Sequence, residues 1–340
     1  MVGDATGGVC VIIAAMNASA TIGQAIRSAL SQAQVVEVVV VDDGSHDGTA
    51  DAAAAVDDGT GRLKVMRLEV NRGPSAARNY AILHSTAPLL AILDADDFFL
   101  PQRFDRMLAE GDWDFIADNI LFMDGAPLDP MLVEAPDFLP DTRLLGLSEF
   151  IRGNLSVRGQ PRAETGFLKP VMRRAFLDRH GLRYREEMRL GEDYDLYARA
   201  LIAGARYKII HGCGYGAVVR SNSLSGRHRT IDLKCLHEAD RALLEQPGLQ
   251  GEERRLVEQH AAQVKRRYEL RRFLDEKAER GLWRTALGML PRMSALPGVA
   301  TDIFLDKYDH LKSTRAGPSV AVDEKLPRTL IKGRLAPATK

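Results

Sequence analysis

Leu89-Leu90-Ala91-Ile92-Leu93-Asp94-Ala95-Asp96-Asp97 is the stretch on which the fold of this chain turns. A short apolar run reads as a buried strand. It stops in three carboxylates separated by one alanine. Asp94 and Asp96 are two residues apart, so on extended chain they point the same way. Like charges gathered beside a buried strand end repel each other and lose hydration. A divalent cation with a phosphate on its far side removes that cost, and Mg²⁺ is commonly held by one or two carboxylates plus substrate phosphates. The competing reading is a cap for the helix that opens near Pro101, for which a single Asp suffices.

Outward from this stretch, strands alternate with helices. Val9–Ala15 is a β-branched apolar run of the kind buried on both faces of a parallel sheet. Ile22, Ala25, Ile26, Ala29 and Leu30 then form one helix face. Val35–Val41 is a second strand, stopping at Asp42-Asp43-Gly44-Ser45 before an alanine-rich helix. Leu63–Leu68 is a third. Asn71-Arg72-Gly73-Pro74 breaks the chain ahead of a helix over Ser75–His84. Pro101–Glu110 reads as a helix and Phe115–Met123 as a fifth strand. This alternation implies an α/β fold with a mostly parallel sheet. Ligands bind such sheets outside the carboxyl ends of the strands. The clusters Asp42-Asp43, Asn71 to Arg78 and Asp94 to Asp97 each follow a strand, so all three are expected to line one crevice. Neither a Gly-x-Gly-x-x-Gly after the first strand nor a Gly-x-x-x-x-Gly-Lys is present, which excludes those two phosphate-binding loops.

The second part of the chain is less regular. Residues 124–141 are rich in Pro and Asp and read as a loop. Leu144–Arg152 and Arg173–His180 read as helices, and Tyr194–Ala203 as a helix ending at Gly204. Asp193 then stands at or beside a helix N-terminus, and two readings stay open: an N-cap or a base that takes a proton from a hydroxyl. Tyr207–Ile210 and Gly216–Val219 read as two short strands. The basic loop Arg220 to Arg229 is either a solvated turn or a flap over a phosphate, since Arg and His donate to phosphate oxygens. Glu253–Gly281 is an amphipathic helical region expected to pack on the body or on a partner chain. Leu282–Leu305 carries Trp283, Met289 and Phe304 among arginines. It reads as ordinary core, with a membrane-surface contact as the alternative. Residues from about 313 onward are expected to be a mobile tail.

Composition bounds the partners. Among 340 residues, 46 Lys and Arg balance 46 Asp and Glu, so no general field draws nucleic acid. Three cysteines without a Cys-x-x-Cys pair argue against a disulfide framework or structural zinc and fit a reducing cytosol. No run of about 18 apolar residues suggests a membrane span, and no basic, apolar leader suggests a signal peptide.

Five blocks in order carry a family likeness: Val9–Gln32; Val39 to Ser45; Asn71-Arg72-Gly73 through Ala77-Arg78-Asn79; Leu93 to Asp97; and Gly191-Glu192-Asp193. They resemble the family 2 glycosyltransferases, and more narrowly the bacterial exopolysaccharide β-glucosyltransferases of succinoglycan type. The likeness covers roughly the first two-thirds of the chain. It implies a GT-A fold over residues 1–230, with a nucleotide-sugar half (1–123) and an acceptor half (124–230), then a helical region (231–312). It also implies inversion at the anomeric carbon. Asp42, Asp43, Asn17, Arg78 and Asp94 would bind the UDP-sugar, here expected to be UDP-glucose. Asp94 and Asp96 would hold Mg²⁺ or Mn²⁺. Asp193 would be the catalytic base, and Glu192, Arg220, Arg227 and His228 would face the diphosphate and acceptor. The acceptor would be an oligosaccharide on a polyprenyl diphosphate at the inner face of the bacterial membrane. A homodimer through the C-terminal helices is a further expectation.

Two features depart from the family pattern. Ala14-Ala15-Met16-Asn17 stands where Pro-x-Tyr-Asn or Pro-x-Phe-Asn is usual, so Met16 replaces an aromatic near the base. The transmembrane helices and Gln-x-x-Arg-Trp motif of polymerising members are absent, which points to addition of a single sugar. The rival readings are a nucleotide-sugar nucleotidyltransferase, whose Gly-rich loop bearing Arg is missing from Ala14–Ala20, and a non-catalytic scaffold, which would be expected to lack one of the carboxylates.

Overall fold

In β1 (Val9–Ala15), Val9, Val11 and Ile13 pack on one face of the sheet while Cys10 and Ile12 pack on the other, all fully buried. A one-residue slip would exchange the two cores, so the register is strongly specified. The computed structural model describes residues 7–125, 129, 132–134, 136, 138, 141–157, 163–219, 228–281 and 328–331. Around β1 the chain runs α1 (Ile22–Leu30), β2 (Val35–Asp43), α2 (Thr49–Ala54), β3 (Leu63–Leu68), α3 (Pro74–Leu83), β4 (Leu89–Ile92), β5 (Phe98–Phe99), α4 (Arg103–Ala109) and β6 (Phe115–Asp124). It continues with β7 (Thr142–Leu144), α5 (Leu147–Asn154), β8 (Val171–Arg173), α6 (Arg174–Arg179), α7 (Glu192–Ile202), β9 (Tyr207–Val219), α8 (Thr230–Leu244) and α9 (Gly251–Arg280).

The described strands form one sheet in the order β3-β2-β1-β4-β8-β6-β9-β5, with β7 also on β9. β1 to β4 are mutually parallel, and β6 is parallel to β9. β8 runs antiparallel to both β4 and β6 and joins the two parallel blocks. Residues of α1 and α4 cover one face, and those of α3, α5 and α7 the other. The sequence reading of an α/β, mostly parallel sheet describes this architecture.

Two local expectations need correction, at Tyr207–Val219 and in the tail, and the reading of the C-terminal helical region is narrowed. Tyr207–Val219 is one bulged strand, not two, because its glycines admit close neighbours instead of breaking the chain. A Cβ on Gly214 would lie 2.3 Å from the Arg103 side chain, and one on Gly216 would lie 2.3 Å from the Phe98 ring. The helical region around Glu253–Gly281 is a single 30-residue helix, α9. Its first half packs Leu256, Val257 and Val264 into the same core as Tyr194 and Tyr197 of α7. Buried Asp240 of α8 accepts from the Tyr194 hydroxyl (3.3 Å) and meets His260 Nδ1 of α9 at 2.9 Å, which ties both helices to the body. Finally, the segment expected to be a mobile tail contains residues 328–331, which pair with β6. Phe122 N–H donates to the Arg328 carbonyl (2.8 Å), and Leu330 N–H donates to that of Ile120 (3.0 Å). The Asn119 side chain clamps Ile331 at both N–H and C=O, each at 2.7 Å. Leu282–Leu305 lies outside the described residues.

Candidate active site

The carboxyl ends of β1, β2 and β4 meet at one edge of the sheet. Asp42 and Asp43 close β2 and are almost wholly buried. Asp42 accepts from the Ser45 amide (2.9 Å). Asp43 accepts from the amides of Arg72 (2.7 Å) and Gly73 (2.8 Å), fixing the turn that opens α3. Gly44 makes that contact possible: its φ is +75°, and a Cβ there would stand 2.8 Å from the Asn71 nitrogen. Asn17, with φ +49°, accepts from the His46 amide (3.0 Å) and donates its own amide to Ser45 Oγ (2.9 Å), tying β1 to the β2 turn. These side chains shape the rim. Beside them Met16 is 40% exposed, where an apolar surface faces outward.

Next to this edge lies a cluster of buried and half-buried charges. Arg78 of α3 donates to Asp94 Oδ1 (2.9 Å), Glu192 Oε1 (3.0 Å) and Asp193 Oδ1 (3.1 Å), with its guanidinium over the Tyr184 ring. Lys169, just before β8, reaches Asp94 Oδ2 (3.0 Å) and Asp193 Oδ2 (2.9 Å). Asp94 and Asp193 therefore share the same two cations, one on each oxygen. Burial acts against the charge on Lys169 and Arg78, but Asp193 and Asp94 outweigh it and hold both protonated well above their ordinary values. Burial likewise acts against ionised Asp94, yet Lys169 and Arg78 keep it well below the usual carboxylate range. Burial leads in raising Glu192.

The readings of Asp94, Asp96 and Asp193 as caps do not hold. The N-cap of α4 is Gln102, and that of α7 is Gly191 at φ +71°. Asp193 sits in the first helical turn, with its carboxylate turned to Arg78 and Lys169. The extended geometry expected for Asp94 and Asp96 is also replaced: β4 ends at Ile92, and Asp94 to Asp97 form a turn closed by Asp97 N–H on the Asp94 carbonyl (3.1 Å). Asp97 accepts from the Tyr215 hydroxyl (2.8 Å) and the Val218 amide (2.9 Å). Burial, then Asp94 and Asp96, push Asp97 up to about 7. That crowding of negative charge fits a cation shared with a phosphate-bearing ligand. Among the described residues no group of three or more His, Cys, Asp or Glu is placed to hold a metal ion.

The fold thus gathers Arg78, Asp94, Glu192 and Asp193 at one point and sets Asn17, Asp42, Asp43 and Asp96 around it. Arg220 and Arg227 lie outside the described residues, and His228 is half-buried ahead of α8. Sequence reasoning missed Lys169 and the pair beneath it. Arg103, fully buried, donates Nη2 to Asp118 (2.9 Å) and to the Lys169 carbonyl (2.6 Å). The available signal was an isolated charge inside an apolar run, at Lys169 between Leu168 and Val171 and at Asp118 inside β6. Charged residues are almost never fully buried unless paired.

Residues 10–135 match the model of glycosyl transferase family 2. The succinoglycan biosynthesis protein ExoU of Rhizobium meliloti (strain 1021) is 54% identical over 317 residues, which is 93% of each chain. Among solved structures, S. aureus TarS 1–349 in complex with UDP-GlcNAc superimposes with a TM-score of 0.57 at 19% identity, over 82% of this chain and 77% of that one. The mannosyltransferase PcManGT of Pyrobaculum calidifontis, in complex with GDP-Man and Mn²⁺, gives 0.50 at 18% identity, over 85% and 80%. The two structures share the fold, and the long match to ExoU fixes the family. This chain belongs to glycosyltransferase family 2, on a GT-A fold.

Proposed function

We propose that the chain transfers one hexose, glucose from UDP-glucose, to a hydroxyl of a lipid-linked oligosaccharide in the synthesis of a succinoglycan-type exopolysaccharide, forming a β-glycosidic bond. The observation that carries this is the shared anchoring of Asp94 and Asp193: the turn after β4 and a helix-borne carboxylate are held by the same two cations, Arg78 and Lys169. The likeness to ExoU along nearly its whole length supports the pathway. No helix among the described residues is long and apolar enough to cross a membrane, which is compatible with action from the cytoplasmic side.

In this reading Asp193 is the base. Two hydrogen bonds occupy two of its roughly four lone-pair sites, so the acceptor hydroxyl can donate to another. Asp193 takes that proton as the hydroxyl oxygen forms its bond to the anomeric carbon. The bond from that carbon to the diphosphate oxygen breaks, its electron pair leaves with UDP, and one displacement inverts the centre. Asp96 and Asp94 would hold a divalent ion, which would supply Lewis-acid stabilisation of the leaving diphosphate. Asn17, Asp42 and Asp43 shape the pocket for ribose and uracil, and Met16 gives the base an apolar wall.

A positioned base contributes about 10²–10⁴-fold. Asp193→Asn is therefore expected to bind UDP as the wild type does and to lose UDP-glucose turnover by that order. Near-wild-type turnover in Asp193→Asn would overturn the assignment.

A further inference from the structure

Lys169 comes to this cluster from a part of the chain that none of the five family-like blocks contains. We propose that Lys169 is a positioning residue that orients the Asp193 carboxylate for proton transfer. The inference rests on the reading of Asp193 as the base. Three observations carry it. Lys169 Nζ lies 2.9 Å from Asp193 Oδ2, and the Lys169 side chain is only 8% exposed, so water does not replace the contact. Arg78 binds the other oxygen, Oδ1, at 3.1 Å. One contact on each oxygen fixes the rotation of the carboxylate plane, which a single contact leaves free.

The backbone of Lys169 is itself anchored. Its carbonyl accepts from Arg103 Nη2 at 2.6 Å, and Arg103 is clamped by Asp118. The Arg103 guanidinium packs on the rings of Phe99 (4.6 Å) and Tyr215 (5.3 Å). Tyr215 in turn receives the Asp94 amide (3.2 Å) and donates to Asp97. One buried core therefore supports both the lysine and the donor-side turn. Asp94 keeps these backbone anchors and Arg78 if the ammonium is removed, whereas the Asp193 carboxylate keeps Arg78 alone. Loss of Lys169 should then harm the chemical step more than donor binding.

The test compares Lys169→Met and Lys169→Arg with wild type and Asp193→Asn, by UDP release from UDP-glucose with Mn²⁺ and a short alkyl β-glucoside as acceptor. Circular dichroism and UDP calorimetry report folding and binding. Displacing a catalytic group by about 1 Å can cost about 10²-fold. Lys169→Met is expected to lose about that factor in kcat while its donor KM changes less than about threefold. Lys169→Arg, which keeps charge and donors, is expected to recover at least about tenfold over Lys169→Met. If Lys169→Met does not fold, Lys169→Gln, which keeps a donor without the charge, is held to the same kcat and KM criteria. Wild-type kcat in the Met or Gln variant, a loss confined to KM, or no recovery with Arg would each overturn the proposal. An active Asp193→Asn would instead remove the base reading on which it rests, so the two failures are distinguishable.

Discussion

Replacing Arg78 by methionine tests whether the charge cluster is held together as its geometry implies. The guanidinium is 5% exposed and contacts three carboxylates within 3.1 Å. Methionine fills similar volume but leaves Asp94, Glu192 and Asp193 facing Lys169 alone. Removing one partner of a buried ion pair costs about 3–5 kcal/mol, because it strands the other charge. Asp94 is 34% exposed and keeps Lys169, so the lower end applies, about 3 kcal/mol. At about 2 °C per kcal/mol for a chain of this size, the melting temperature should fall by about 6 °C. The pH dependence sharpens the test. Asp94 is held below its ordinary value, so its contribution to stability is present above the unfolded value, near 3.9, and is lost as pH falls through the folded value. The gap between wild type and Arg78→Met should be full above about pH 5 and narrow below about pH 4. Urea melts at pH 8 and pH 3.5 read both quantities. A gap under about 1 kcal/mol at pH 8, or one that does not shrink in acid, would refute the claim that Arg78 neutralises these carboxylates.

Other perturbations address different parts of the molecule. Asp96→Ala should abolish the metal-dependent part of UDP binding; unchanged UDP affinity in calorimetry with Mn²⁺ present counts against a metal at that carboxylate. Gly214→Ala places a methyl 2.3 Å from Arg103 and 2.5 Å from Asp118, and overpacking of this kind costs about 1–3 kcal/mol, readable as a lowered melting temperature. Truncation before Arg328 removes the carbonyl that receives the Phe122 amide, so hydrogen exchange at Phe122 should accelerate; an unchanged rate would mean that the pairing with β6 is not made in solution.

Much of the first half was legible because each signal was local. Val9–Ala15, Val38–Val41 and Leu89–Ile92 are apolar runs long enough for a central strand, and each ends in a polar cluster. A general rule about parallel sheets then puts those clusters at one edge, and Asp42, Asp43, Asn17 and Asp94 are found there. What stayed hidden was how each carboxylate is employed. Nothing in Asp42-Asp43 shows that one will hold its own turn while the other receives amides from Arg72 and Gly73, since those partners lie 29 and 30 residues away. Nor does spacing distinguish an N-cap from a base at Asp193. That choice depends on Arg78, 115 residues away, and on which way the carboxylate turns.

Lys169 reaches the cluster for a topological reason. In a parallel sheet, a residue just before a strand lies at the edge opposite the carboxyl ends of the strands. β8 is antiparallel: Leu89 pairs with Arg173 and Ala91 with Val171, so the entrance of β8 lies at the exit of β4. The chain reversal carries Lys169 to Asp94, and the same strand pairs with β6, where Asp118 holds Arg103 against the Lys169 carbonyl. The insertion of one three-residue strand between two parallel blocks is thus what brings Lys169 to carboxylates that lie on either side of it in the sequence, Asp94 and Asp193. A parallel β8 would leave Asp94 and Asp193 with Arg78 as their sole shared cation, and the cluster of three carboxylates would then need protonation or a bound cation to stay buried.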